Sequence, residues 1–326
     1  MTRNEGKTRR RFLAFLGASP VALVCVRSEA QARQLVLYSY FVGPTLVGKG
    51  AQPFADKATE NSGGTIRVSL EMALPTAPFQ MIGKDSAFAH YFVSDFVDAE
   101  PVLGLSLLPM LTATFDEAET LLRIARPYYS SALARHGQIL LATEPWQPGA
   151  LWSTFPIRSD ADLKGIPFAL SSRFAERMGW GRTFIRLGVR PASFFDAETV
   201  LSSGYDGTLK FTKEFAYVTE IFFSAQLNFL TASREVFDSL TEAQRHILVE
   251  TGRDTELASW KFAREFMQHN RQDIAARGVS LAAQPAADVL AALRLAAEPD
   301  IQSWARSLGA DGTSLLADYR RAIGRE

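Results

Sequence analysis

What the sequence lacks narrows its chemistry first. It holds one cysteine, Cys25, so no disulfide closes within the chain. Its histidines, His90, His136, His246 and His269, are isolated, with no HxH or HxxxH pair. That spacing nominates no zinc or iron site. His136 falls at a predicted helix end, where a cation suits the dipole, and His246 and His269 read as solvated helix residues. No GxSxG nucleophile elbow and no GxxxxGK[ST] phosphate loop occurs, and Gly179-Trp180-Gly181 is only a glycine pair. Neither a cofactor nor a metal is expected. Thirty-five basic residues balance 35 acidic ones, so the electrostatic footprint of a nucleic-acid partner is missing. There is no long run of like charge and no repeat at a solenoid period. Beyond the N-terminus no apolar stretch approaches the length needed to span a bilayer.

What is present is a chain of 326 residues, 47% hydrophobic, which suffices for a large core and two lobes. Thr8-Arg9-Arg10-Arg11-Phe12-Leu13 matches the twin-arginine export pattern. An apolar run, Phe12–Val26, follows, broken by Gly17, Ser19 and Pro20, and Ala30-Gln31-Ala32 is a small-x-small cleavage site. The run is too short and interrupted for a membrane helix, and it has no polar face. Residues 1–32 therefore read as a signal peptide cleaved near Ala32, which places the mature protein in the periplasm. Cys25 lies inside this leader, and Val24 before it does not suit a lipoprotein site. The mature chain is then free of cysteine, which excludes thiolate chemistry. Cleavage also removes six basic residues (Arg3, Lys7, Arg9, Arg10, Arg11, Arg27) and two acidic ones (Glu5, Glu29), leaving a mildly acidic protein.

The stretch Trp146–Leu170 draws the eye at mid-chain. Two apolar segments, Ala150–Ile157 and Ile166–Leu170, flank the polar turn Arg158–Gly165, and the pattern predicts a hairpin. Trp146, Trp152 and Phe168 make it either a ligand wall or an aromatic core. Upstream, Gln34–Tyr40 reads as a strand ending at Gly43-Pro44, Leu46–Asn61 as a helix stopped by Ser62-Gly63-Gly64, and Thr65–Met72 as a strand. A strand–helix–strand unit implies a parallel pair and an α/β lobe. Ser86–Val93 is a third strand, with His90 its odd polar member. A helix is predicted over Asp116–His136, with Asp116 as N-cap and Gly137 closing it, followed by a short strand at Gln138–Ala142. Downstream, Ser172–Leu187 reads as a helix and Phe215–Leu230, including Asn228, as strand material. Ser239 to Gln244 is a capping signature at the head of a long helix towards Arg277, and Gly278, Pro285 and Pro299 punctuate a helical tail.

Several ordered segments resemble one family. Phe54-Ala55-Asp56 with Ser62-Gly63-Gly64-Thr65-Ile66-Arg67-Val68, then Leu107-Leu108-Pro109, and then Pro156-Ile157 with Asp162-Leu163-Lys164-Gly165 are three of them. Gly204-Tyr205-Asp206-Gly207 and Ser239-Leu240-Thr241-Glu242-Ala243-Gln244 complete the set. All are similar to landmarks of the extracytoplasmic solute-binding proteins of tripartite ATP-independent periplasmic (TRAP) transporters, over roughly Leu35 to Arg277. The resemblance implies an α/β, periplasmic binding protein-like fold of two lobes, with an interlobe cleft and a long helix spanning both. On that pattern residues 33–150 form the first lobe, with a later return segment. Residues 151–235 form the core of the second lobe, and residues 236–326 the spanning helix and a C-terminal helical segment. The implied function is capture of a small organic solute and its delivery to the membrane subunits of a TRAP transporter. The protein would act as a monomer and not as an enzyme. A twin-arginine-exported periplasmic enzyme, or a binding protein turned to sensing, are the alternatives.

The chain departs from the family where the family grips acids. The arginine usual after LKG is replaced by Ala169, the second arginine by Leu151, and Thr208-Leu209-Lys210 follows Asp206-Gly207. Arg158 or Arg173 can substitute, Arg173 standing at a helix start. The candidate ligand-binding residues are thus His90, Trp146, Trp152, Phe168, Ala169, Arg173, Phe195 and Asn228. They imply a solute that is flatter or less charged than a C4-dicarboxylate or a sialic acid, or an acid held by Arg173. The leader supplies its own test: Arg9→Lys with Arg10→Lys is expected to strand full-length precursor in the cytoplasm, and normal export of that variant would disprove the assignment.

Overall fold

The computed structural model describes residues 32–40, 48–72, 86–170, 179–202 and 211–325. The leader, the Gly43-Pro44 turn, Arg173 and the segment from Gly204 to Gly207 lie outside these residues. Alternating apolar residues make β1 (Arg33–Ser39) and β2 (Ile66–Met72), and helix α1 (Gly48–Asn61) lies between them in sequence. The crossover rule holds: β1 and β2 pair in parallel, Arg33 opposite Ile66. Strand β3 (Phe88–Phe92) pairs in parallel on the other side of β1. Helix α2 (Phe115–Arg135) starts one turn-step earlier than expected: Thr114, not Asp116, is the N-cap, its Oγ1 accepting from the Glu117 N–H at 3.1 Å.

Strand β4 (Gln138–Pro145) runs straight on into β5 (Gly149–Ser153), yet the two belong to different sheets. The second sheet adds β6 (Pro167–Leu170), β7 (Arg190–Pro191), β8 (Thr199–Ser202) and β9 (Tyr217–Ile221). Helix α3 (Trp180–Arg186) precedes β7. The chain then returns to the first sheet as β10 (Leu227–Ser233), and after helices α4 (Arg234–Asp238) and α5 (Glu242–Ala276) gives β11 (Ser280–Ala282) to the second. Helices α6 (Ala287–Ser307) and α7 (Ala310–Ala322) follow. The first sheet has the order β2-β1-β3-β10-β4 and the second β11-β9-β5-β8-β6-β7.

Three sequence readings are corrected here. The predicted hairpin does not form, because β8 lies between β5 and β6 and pairs with both. The single apolar stretch Phe215–Leu230 is two strands, β9 and β10, split at the crossing Phe222–Gln226. Pro299 sits inside α6 rather than breaking the tail.

Helix α5 carries the predicted capping box: the Thr241 Oγ1 accepts from the Gln244 N–H at 3.3 Å, and the Gln244 Oε1 accepts from the Thr241 N–H at 3.1 Å. At 35 residues it is roughly 50 Å long. It packs on β4 in the first sheet and on β11 in the second. Against β4 it covers the open sheet edge. The Thr143 N–H donates to Glu256 Oε2 at 2.7 Å, and the same oxygen accepts from the Thr143 hydroxyl and from Arg126. Gly252 makes this contact possible, since a Cβ there would stand 2.8 Å from the Leu141 carbonyl oxygen. Helix propensity alone favours Gly252→Ala by about 1 kcal/mol. A methyl driven into strand backbone costs about 1–3 kcal/mol, so overpacking wins. Gly252→Ala is expected to lower the denaturation midpoint, and an unchanged or higher midpoint would contradict the close packing.

Candidate functional site

The strand directions locate the site. In the first sheet β1, β2, β3 and β4 all end, at Ser39, Met72, Phe92 and Pro145, on the side where β10 begins. In the second sheet β6, β8 and β9 end on the side where β5 begins. Both sheets therefore turn these ends towards the two connections that join them, Trp146–Pro148 and Phe222–Gln226. Carboxyl ends of strands are where open α/β sheets bind ligands. The connections run side by side, held by the Trp146 N–H donating to the Gln226 carbonyl at 2.9 Å.

A row of polar side chains lies at this end of the first sheet, on the face covered by α1. His90 and Asn228 are fully buried and Glu144 is 2% exposed. Ser39 Oγ is 2.9 Å from His90 Nδ1, and Glu144 Oε2 is 3.3 Å from His90 Nε2. The Trp146 indole can only donate, so its 2.8 Å bond fixes Asn228 Oδ1 as the acceptor and turns Nδ2 towards His90 Nε2, 3.3 Å away. Phe92 meets the Trp146 ring edge-on at 4.9 Å. Half-buried Tyr40 continues β1 at the same level. Burial and then the charge of Asp95 push its phenol above the usual range, so it stays a neutral donor and acceptor.

Glu144 is the residue that sequence reading passed over. A carboxylate this buried needs compensation. His90 Nε2 faces both Glu144 Oε2 and Asn228 Nδ2, and can donate to the carboxylate or accept from the amide, not both. Glu144 Oε1 is buried without a hydrogen-bond partner and packs against the start of α1, where a Cβ on Gly50 would fall 1.9 Å from Oε1 and 2.1 Å from Oε2. The carboxylate thus occupies the place of a side chain in the first turn of α1, beside N–H groups that have no partner within the helix and at the positive end of its dipole. The only trace in sequence is one acid in the apolar strand QILLATEP. Ser39, His90 and Glu144 make a serine–histidine–carboxylate chain, but Ser39 and His90 are fully buried, so the hydroxyl faces no substrate-sized space.

The structure joins three of the residues expected from sequence, His90, Trp146 and Asn228, into one network. The others go elsewhere. Trp152 is fully buried with Phe211 at 5.8 Å, its Nε1 has no hydrogen-bond partner, and it shares a core with Ala169. Phe168 points to the opposite face and stacks on Phe184 at 4.3 Å. Phe195 is 94% exposed. Arg173 lies outside the described residues.

No family model and no curated protein matches this chain. Solved structures do match it, over nearly their whole length. A Bordetella pertussis extracytoplasmic solute receptor binding pyroglutamic acid is 20% identical, with a TM-score of 0.74 over 89% of this chain and 100% of that one. A TRAP periplasmic solute-binding protein from Ochrobactrum anthropi, with its C-terminus bound in the ligand-binding pocket, is 17% identical, with a TM-score of 0.77 over 91% and 98%. A third, from Ralstonia eutropha with bound (S)-2-acetolactate, is 19% identical, with a TM-score of 0.72 over 90% and 99%. The chain has the TRAP solute-binding-protein fold. The resemblance read from short segments thus extends to the architecture, with its two lobes and the cleft between their strand ends.

In this TRAP-type fold the seat of Glu144 can be tested by a double-mutant cycle. Gly50→Ala alone is expected to cost about 1–3 kcal/mol, because the methyl displaces a buried carboxylate. With Glu144→Ala already in place the same change becomes neutral or mildly stabilising, since only helix propensity remains. Strictly additive energies would remove Glu144 from the first turn of α1.

Proposed function

We propose that this protein is a periplasmic solute-binding protein that closes its two lobes on one small organic solute and presents it to the membrane subunits of a TRAP transporter. The observation that carries the reading is the convergence of strand ends from both sheets on a paired connection, with donors and an aromatic ring gathered there. Closure about such a connection adds contacts that the open form lacks, so ligand shifts the population towards the closed state. The bound solutes of the structural neighbours, among them pyroglutamate, acetolactate, glucuronate and galacturonate, support the same class. Export by the twin-arginine route, cleavage near Ala32 and action as a monomer belong to the proposal.

For the ligand, we infer an organic acid with a single charge. Leu151 and Ala169 occupy buried core positions, so the β5 and β6 places where the family pattern expects arginine offer no cation. A dicarboxylate would leave a charge unpaired in a desolvated cleft. In this reading Arg173 meets the single carboxylate, and Trp146, set by Asn228, takes the uncharged body. A thermal-shift screen of pyroglutamate, acetolactate, hexuronates and succinate tests it. The true ligand at a hundred times its Kd should stabilise by about 2.7 kcal/mol. Arg173→Ala and Trp146→Ala are each expected to weaken binding about tenfold or more. Tight succinate binding indifferent to Arg173 would overturn the ligand class. A tightly held metal or organic cofactor in native mass spectrometry, with no response to any solute, would overturn the binding-protein reading.

A further inference from the structure

A cavity of about 570 Å³ lies apart from the polar row and shares none of its residues. It is bounded by both connections, through Pro148 and Phe222, by the start of α2, and by α5 and α6. Four arginines line it, Arg264, Arg271, Arg294 and Arg325, against three carboxylates, Asp116, Glu117 and Glu220. Three of the arginines are engaged. Arg264 Nη2 is 2.8 Å from both Asp116 and Glu119, with its guanidinium over the Phe115 ring. Arg271 makes a two-pronged contact with Glu220, at 2.8 and 2.7 Å. Arg325 donates to Glu117 and, at 3.1 Å, to the Leu111 carbonyl.

Arg294 differs. Its Nε is buried without a hydrogen-bond partner, and no carboxylate among the described residues forms an ion pair with it. Burial, and then the positive charge of Arg325, hold its guanidinium below the usual arginine range, against a smaller opposing pull from the Glu117 carboxylate, which is bonded to Arg325. An unpaired, partly desolvated cation facing a cavity of ligand size asks for an anion. With Glu119, which shares Arg264 with Asp116, four carboxylates balance the four arginines, so Arg294 stands out by its missing partner and not by a net charge. The remaining wall is apolar, with Phe222, Met267 and Leu290 prominent. We propose that this cavity is a second ligand site, taking a small monocarboxylate with an apolar body, its carboxylate on Arg294 and its body against Phe222, Met267 and Leu290. The site stands on its own geometry and is independent of what the cleft binds. Because it touches both connections, its occupant contacts the segments about which the lobes close.

Benzoate is a suitable probe, one charge on a flat apolar body, with the full-length mature protein followed by calorimetry and thermal shift. Saturable binding is expected, weakened about tenfold or more by Arg294→Gln and retained in Trp146→Ala, which alters only the cleft. Leu290→Trp, which fills the apolar wall and leaves the charge in place, should abolish binding with an unchanged circular dichroism spectrum. Without ligand, Arg294→Gln should melt no lower than the parent, since it removes an unpaired charge. Benzoate binding that survives both Arg294→Gln and Leu290→Trp would overturn the proposal. So would a large loss of stability in ligand-free Arg294→Gln, which would mean that the guanidinium is already satisfied. An equal, Arg294-dependent response to inorganic phosphate would overturn the monocarboxylate class.

Discussion

Strand β10 is the member on which the first sheet depends. It lies between β3 and β4, pairs with both, and is buried along its whole length. Without it β4 and the helix packed on it would have no partner in that sheet. Yet its residues arrive only after the chain has supplied five strands to the second sheet. The first sheet is therefore closed by a return segment, and its completion carries a long loop-closure entropy that only the buried ladder and core offset. The return also produces the second connection. Two connections bonded at Trp146 and Gln226 leave the sheets a shared axis, and α5 bridges both on the outside. In the proposed closure, bending would fall on this narrow set of residues.

The same geometry explains where the polar groups sit. Ser39 ends β1, Glu144 is the penultimate residue of β4, Asn228 is the second of β10 and His90 lies two residues from the end of β3, so the four gather at the end of the sheet that faces the connections. These groups face one another in a row, with Glu144 Oε1 left without a partner against the first turn of α1, and the Asn228 amide holds one arrangement of Trp146. An indole oriented by a buried amide meets an incoming ring with little rotamer entropy left to lose. Its donor is already used by Asn228, which leaves the ring face as its contact.

Sequence pattern reached the elements whose signals are local. The β1–α1–β2 unit and the capping box of α5 were legible, because strand alternation, glycine stops and N-caps act over a few residues, whereas the two-lobed architecture came from the family resemblance. Pairing was not local, and there the reading failed. Ala150 and Ile166 segments with a good turn between them look like a hairpin, but β8, some 30 residues later, takes the place between them. Phe215–Leu230 is apolar throughout because the crossing Phe222–Gln226 is largely buried, so no polar break marks the change of sheet. Of the candidate site residues, His90 and Asn228 were chosen as polar residues in apolar strands, and the structure brings these two together in one buried row. Trp152 and Phe168 were chosen for size, and large aromatics serve cores as readily as pockets.

Charge distribution places a last constraint on recognition. Ion pairs join helix to helix and helix to sheet throughout the described chain: Arg126 with Glu256, Arg264 with Asp116 and Glu119, Arg186 with Asp300, Arg320 with Glu298, and Arg271 with Glu220. Truncating one partner of such a pair leaves the other exposed to the full desolvation cost where the site is partly buried, and Glu220, Glu256 and Asp300 are all less than one-fifth exposed. A solute cannot recruit these guanidiniums without stranding a carboxylate, so they are structural cations despite their number. The described strand ends around the cleft offer instead a neutral phenol and an indole, with His90 buried behind them against Glu144. Such a surface accepts shape and one or two hydrogen bonds more readily than several charges. The selectivity proposed for weakly charged solutes would then reflect the cost of breaking the scaffold, as much as the groups that line the cleft.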